Sequence, residues 1–222
     1  MALKGRTSRT VLNLSLLALD ISLFLHLNLS STPGKVGHTP REESSASFSK
    51  TVEIVEERTL SGVYVENALA LPVVQQPEGN ATYVSTRNGE ITQFSTASQY
   101  GNIGLLAHNY LSGKSFLELT VGQQVRLVFD DGQTEYFIVS EILRYQALEP
   151  NSTYSSFKNL DNKNEVLSAG EMFNRVYVGD HHVTFQTCIH ANGKSSWGRL
   201  FIVATPKPKY LSVDRLNSRG LP

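Results

Sequence analysis

The sequence predicts an all-β domain, a barrel or a sandwich, and two observations point there. Between Leu60 and Pro206, short runs rich in Val, Ile, Leu, Phe and Tyr recur about eight times, separated by turn residues. Over the same range helical periodicity is weak, and only "SSFKNL" and "SAGEMF" read as helical turns.

Taken in order, "TVEIVEERTL" is a short strand or a helical turn leading into the domain, and "GVYVENALALPVV" is an apolar stretch broken by a turn. "IGLLAH" is a short buried run. "QQVRLVFDDGQTEYFIVSEI" holds two strand-like segments around Asp130-Asp131-Gly132, where Asp-Gly supplies the positive φ angles of a tight hairpin. "RVYVG", "HVTFQTC" and "RLFIVAT" add three further strands. No internal repeat is present. Residues 207–222 combine proline with scattered charge and read as a loose C-terminal tail.

The 222 residues suit one domain plus accessory segments. Twenty basic residues balance twenty acidic ones, which argues against a nucleic-acid binder, whose footprint is a basic excess. With one cysteine, Cys188, no intramolecular disulfide is possible, so the domain stands on its hydrophobic core.

Lys4, Arg6 and Arg9 precede an apolar stretch from Val11 to Leu29 that is just long enough to cross a bilayer. Asp20 near its centre costs roughly 2.5–3.5 kcal/mol, and the surrounding Leu, Ile, Val and Phe at about −0.3 to −0.6 kcal/mol each offset it. The polar positions fall on opposite sides of a helix, unlike an interfacial amphipathic helix; a soluble amphiphilic leader is the alternative reading. No small-residue cleavage site follows, which favours an uncleaved anchor over a signal peptide. The expected organisation is a cytoplasmic basic region (1–10), a transmembrane anchor or signal helix (11–29), a Ser-, Pro- and Gly-rich tether (30–58) and an extracytoplasmic domain (59–206).

Alternation along "VTFQTC" puts Val183, Phe185 and Thr187 on one face and Thr184, Gln186 and Cys188 on the other. The bulky apolar pair seeks the core, so the thiol falls on the opposite, accessible side. A nucleophilic thiol needs a base or a positive charge to favour thiolate, and donors for the oxyanion that forms on attack. Candidate bases are His108, His181, His182 and His190, and the candidate cation is Arg199. A structural reading pairs Arg199 with an acid such as Asp180. A metal site is disfavoured by spacing, because His182 and Cys188 lie about 20 Å apart on one extended strand. No phosphate-cradling glycine loop is present.

"TFQTC" resembles the T-L-x-T-C motif of sortases, the cysteine transpeptidases of the cell envelope; Thr184, Thr187 and Cys188 match it. "WGRLFIVAT" resembles their arginine-bearing strand. "YGNIGLLAHNYLSGKSFLELTVGQQVRLVF" resembles the segment with the family's histidine, placing His108 there and Phe116, Leu119 and Gly122 at its landmarks. Ala107, Gln123 and Asn109-Tyr110 depart from its commonest residues.

The resemblance implies an eight-stranded sortase-like β-barrel with short helical turns. It implies Cys188 as nucleophile, His108 as general acid and base, Arg199 as oxyanion and substrate stabiliser, and Thr184 and Thr187 beside the substrate. No metal or other cofactor is expected. The implied partners are a protein bearing a C-terminal sorting signal and an amine acceptor, met at the cell membrane. Two other readings use the same scaffold: a catalytically silent peptide-binding domain and a hydrolytic cysteine peptidase. His190, two residues beyond Cys188, competes with His108 as base.

Overall fold

The computed structural model describes residues 58–152 and 154–208. The expected anchor at 11–29, nearly all of the tether and the tail from residue 209 lie outside the described residues. Among the described residues no helix is long and apolar enough to cross a membrane.

The chain forms strands β1 (Leu60–Val65), β2 (Leu69–Gln75), β3 (Ile91–Phe94), β4 (Ile103–Leu106), β5 (Gln124–Phe129), β6 (Thr134–Ala147), β7 (Phe157–Asn159), β8 (Val166–Leu167), β9 (Val183–Ala191) and β10 (Lys194–Pro206). Hydrogen bonding runs in the order β10-β9-β4-β3-β2-β1-β5-β6, and β6 pairs back onto β10. The result is a closed eight-stranded barrel, so among these strands no long edge is left to pair with another chain. β7 and β8 extend sideways from the far end of β6.

Local chemistry explains the two hairpins that start the wall. Between β1 and β2 the chain turns at Asn67, whose φ of 60° is one that asparagine tolerates better than most residues. Between β5 and β6 Gly132 takes φ 80° and its amide closes the turn on the Phe129 carbonyl at 3.0 Å. The Asp-Gly hairpin expected at this place is therefore present.

Period-two alternation fills the barrel. Val63 and Val65 of β1, Val125 and Leu127 of β5, Val183 and Phe185 of β9, and Leu200 and Ile202 of β10 all point inward. Burying each side chain of this size contributes about 1.5–3 kcal/mol.

A second apolar cluster lies outside the barrel. It joins Leu106, Leu143, Tyr145 and Phe201 on the wall to Met172, Phe173, Val176 and Tyr177 of helix α2 (Ala169–Tyr177). A shorter helix, α1 (Ser95–Ser98), and a 3₁₀ helix at Ser112–Glu118 complete the elements.

Two segments form elements other than those their sequence predicts. "RVYVG", read as a strand, instead ends α2: Ala169, Met172, Phe173, Val176 and Tyr177 are buried at helical spacing. A reciprocal cap starts that helix, with Ser168 Oγ accepting from the Glu171 amide and the Glu171 carboxylate accepting from the Ser168 amide. "SSFKNL", read as a helical turn, instead supplies β7, because the overhanging end of β6 offers it a ladder at Tyr145–Ala147.

Candidate active site

β9 carries the thiol as alternation requires: Val183 and Phe185 enter the barrel, while Gln186 and Cys188 face outward. The outward face is not open solvent, however. Cys188 joins the cluster beneath α2 and retains 7% exposure, so the accessible thiol expected from the sequence is instead largely covered. Alternation identifies a face; only packing decides what lies on it.

The two strands that flank β9 carry Arg199 and lead to His108. β4 runs parallel to β9 with Leu105 opposite Phe185 and Leu106 opposite Gln186. The Ala107 amide continues the ladder by donating to the Gln186 carbonyl at 3.2 Å. The ladder ends with Leu106 opposite Gln186, and His108 follows it by two residues, toward the level of Cys188. On the other side β10 runs antiparallel, and Arg199 is the direct partner of Cys188. Adjacent strands lie about 4.7–4.9 Å apart, so the imidazole and the guanidinium each start one strand away from the thiol. The row continues onto β6, where Tyr145 is the partner of Arg199.

Each member of the row is held. The His108 carbonyl accepts from the amides of Leu111 at 2.9 Å and Gly113 at 3.0 Å, winding the following loop around it. Gly113 permits this: a Cβ there would stand 2.4 Å from Thr187 Oγ1 and 2.7 Å from the His108 carbonyl oxygen. Asn109 Nδ2 donates to the Ser195 carbonyl at 2.9 Å and ties the loop to the β9–β10 hairpin. Arg199 Nη1 donates to the Ser196 carbonyl at 3.1 Å and the Gly198 carbonyl at 3.2 Å, and the guanidinium lies 5.9 Å from the Phe157 ring centre.

His108 is buried, and among the described residues its Nε2 has no hydrogen-bond partner. An unsatisfied buried polar atom costs about 1–3 kcal/mol. Burial lowers the pKa of the imidazole below the ordinary histidine value, and a hydrogen bond with the Val84 backbone partly opposes that. The Tyr110 ring stacks on the imidazole, centres 5.2 Å apart and planes inclined by 17°. Its phenol is raised, first by burial and then by the charge of Cys188.

Of the other residues singled out in the sequence, Thr187 borders the site and the rest lie further off. Thr187 Oγ1 donates to the Ala107 carbonyl at 2.8 Å, and Thr184 Oγ1 to the Val176 carbonyl of α2 at 2.6 Å; both side chains are fully buried. His181 and His182 stand before the start of β9, at the end remote from Cys188. His181 Nδ1 meets the Gly101 carbonyl at 2.6 Å, and the two ring nitrogens of His182 face the Asp180 and Val176 carbonyls at 2.6 and 2.9 Å. Asp180 is separated from Arg199, since Val183 already pairs with Ala204, roughly 17 Å further along β10. His190 is exposed beyond Cys188 on the same strand. Sequence reasoning missed Tyr110, Asn109 and Val84 as neighbours of the site; the position of Tyr110, two residues after the histidine, was the only available signal.

Cys188 and Arg199, partners across β9 and β10, and His108, two residues beyond the end of the neighbouring β4, make up a candidate thiol site on a closed barrel. No family model and no curated protein sequence matches the chain. Among solved structures it is similar to sortase A of Listeria monocytogenes, with 13% identity over 68% of this chain and 88% of that one, at a TM-score of 0.43. It is similar also to sortase C1 of Streptococcus suis, with 14% identity over 70% and 75% and a TM-score of 0.46. For sortase A of Corynebacterium diphtheriae the values are 11%, 72%, 66% and 0.45. At such identities the roles of Cys188, His108 and Arg199 rest on the geometry of this chain.

Proposed function

We propose that the protein is a sortase-type cysteine transpeptidase, which cleaves a C-terminal sorting-signal peptide and transfers the acyl part to an amine acceptor at the cell envelope. The observation that carries this reading is the pairing of Cys188 with Arg199 across β9 and β10, with His108 just beyond the end of β4 on the other side of β9.

In the first half-reaction the Cys188 thiolate attacks the scissile carbonyl carbon. A guanidinium on the next strand favours thiolate over thiol and stabilises the negative charge that develops on the carbonyl oxygen. Arg199 Nη1 is held on two backbone carbonyls, which fixes the plane of the guanidinium. As the C–N bond breaks, His108 gives the leaving amine the proton it took from the Cys188 thiol, and a thioester remains on Cys188. In the second half, neutral His108 takes a proton from the incoming amine, the new amide forms, and the thiolate leaves. The buried, unpartnered Nε2 of His108 supports this role, since a proton donor and acceptor must meet a group absent from the resting enzyme. Thr184 and Thr187 act through the backbone, fixing β9 against α2 and against the chain leading into His108.

The apolar stretch 11–29 anchors the chain in the membrane in this reading, and the tether sets the barrel on the extracytoplasmic side. The test is to incubate the full chain in detergent with a library of candidate sorting-signal peptides and a peptide amine. Transpeptidation predicts a new amide product that disappears in Cys188→Ala. Hydrolysis alone, despite abundant amine, identifies a peptidase instead. Retained peptide binding with no cleavage identifies a silent binding domain.

A further inference from the structure

Tyr110 is half exposed, with 49% of its surface open, although it is two residues from a buried histidine. Its ring lies nearly parallel to the His108 imidazole at 5.2 Å and so covers one face of it. The backbone that carries the ring is pinned on both sides. Asn109 Nδ2 is bonded to the Ser195 carbonyl, and the amides of Leu111 and Gly113 are bonded to the His108 carbonyl. The ring's place is therefore set by the loop, and rotation of its own side chain is the freedom left to it.

Nε2 of the stacked imidazole is buried and, among the described residues, has no hydrogen-bond partner; water is the group that would ordinarily satisfy such an atom. Water at that position is also the competitor of an amine for a thioester on Cys188. We propose that Tyr110 is a positioning residue that seals the imidazole from water and thereby biases the thioester toward amines over hydrolysis. The inference rests on the transpeptidase reading. The seal belongs to the ring face; the hydroxyl is dispensable, so phenylalanine replaces tyrosine and alanine does not.

Two measurements on the full chain separate the seal from the reading beneath it. The first needs no turnover: the titration of His108 followed by NMR in the wild type, Tyr110→Phe and Tyr110→Ala. Removing the ring admits water to the imidazole, stabilises its charged form and moves the midpoint up toward the ordinary histidine value; phenylalanine leaves it in place. The second is the ratio of amide product to hydrolysis product with a cleavable sorting-signal peptide and a peptide amine. The ratio falls about tenfold or more in Tyr110→Ala and is retained in Tyr110→Phe. An unchanged midpoint in Tyr110→Ala, or phenylalanine behaving as alanine does, overturns the seal. A midpoint that rises while the product ratio stays constant overturns its role in excluding water. If no peptide is cleaved at all, the transpeptidase reading fails, and the titration alone decides whether Tyr110 seals His108.

Discussion

Cys188 and Arg199 are direct partners across the β9–β10 ladder, and the arginine is among the most deeply buried large side chains of the protein. Burying a guanidinium is costly unless its donors are used and its charge has a task. Two backbone carbonyls hold Nη1, and the residue opposite Arg199 on β9 is the one cysteine. Lysine keeps the charge but loses the planar, fixed set of donors. We expect Arg199→Lys to lower kcat/KM by about 10²–10³-fold, the scale of removing an oxyanion donor, and Arg199→Ala by at least as much. Steady-state kinetics on a cleavable peptide checks this. Near-wild-type turnover in Arg199→Lys would remove the arginine from the chemistry.

His108 makes stability depend on pH with a defined sign. Its folded pKa is lowered, chiefly by burial, while the unfolded chain titrates near the ordinary value of about 6.5. Between those two points the unfolded chain binds the extra proton, so stability rises with pH. The loss begins as pH falls through about 6.5 and is complete below the folded value. In His108→Gln this part of the dependence disappears. Denaturant melts of both proteins between pH 7.5 and pH 5, about a unit or more either side of that value, measure the difference. Parallel curves would mean that His108 is not desolvated.

The strands were legible in the sequence wherever one face entered the barrel, because alternation alone separates Val183 and Phe185 from Gln186 and Cys188. α2 was less so. Arg175-Val176-Tyr177-Val178 carries β-branched and aromatic residues typical of a strand, and only the Ser168–Glu171 cap and the spacing of buried positions reveal a helix. Cys188 and Arg199 were within reach of local reasoning, since they sit on strands joined by one hairpin. His108 was not: its place depends on the parallel pairing of β4 with β9, which no local pattern encodes, and the family resemblance supplied it. Tyr110 is a product of loop geometry, and its stacking could not be read from the chain.

Gly113 fixes the loop that carries His108. A methyl group there collides with Thr187 Oγ1 and with the carbonyls of Ala107 and His108, all closer than 3.0 Å. Two of the three are backbone, which cannot rotate aside. Gly113→Ala is expected to destabilise the domain by about 1–3 kcal/mol and to reduce turnover of the protein that remains folded. Thermal melting together with activity per folded molecule measures both, and an unaffected variant would show that the loop has slack.

The cap of α2 is a separate check on the cover of the site. Ser168→Ala removes one half of the reciprocal pair and should cost about 1 kcal/mol, read by denaturant titration. Because α2 packs over the cluster that contains Cys188, alkylation of the thiol should also quicken. A stability loss with no change in alkylation would mean that α2 does not gate access to the thiol.

The most direct test of the central claim is intact-protein mass spectrometry of the full chain quenched during incubation with candidate sorting-signal peptides. The account predicts an adduct with the mass of the acyl fragment, attached to Cys188, absent in Cys188→Ala, and discharged by a peptide amine. Peptide cleavage that proceeds without any adduct, or that survives Cys188→Ala, would contradict it.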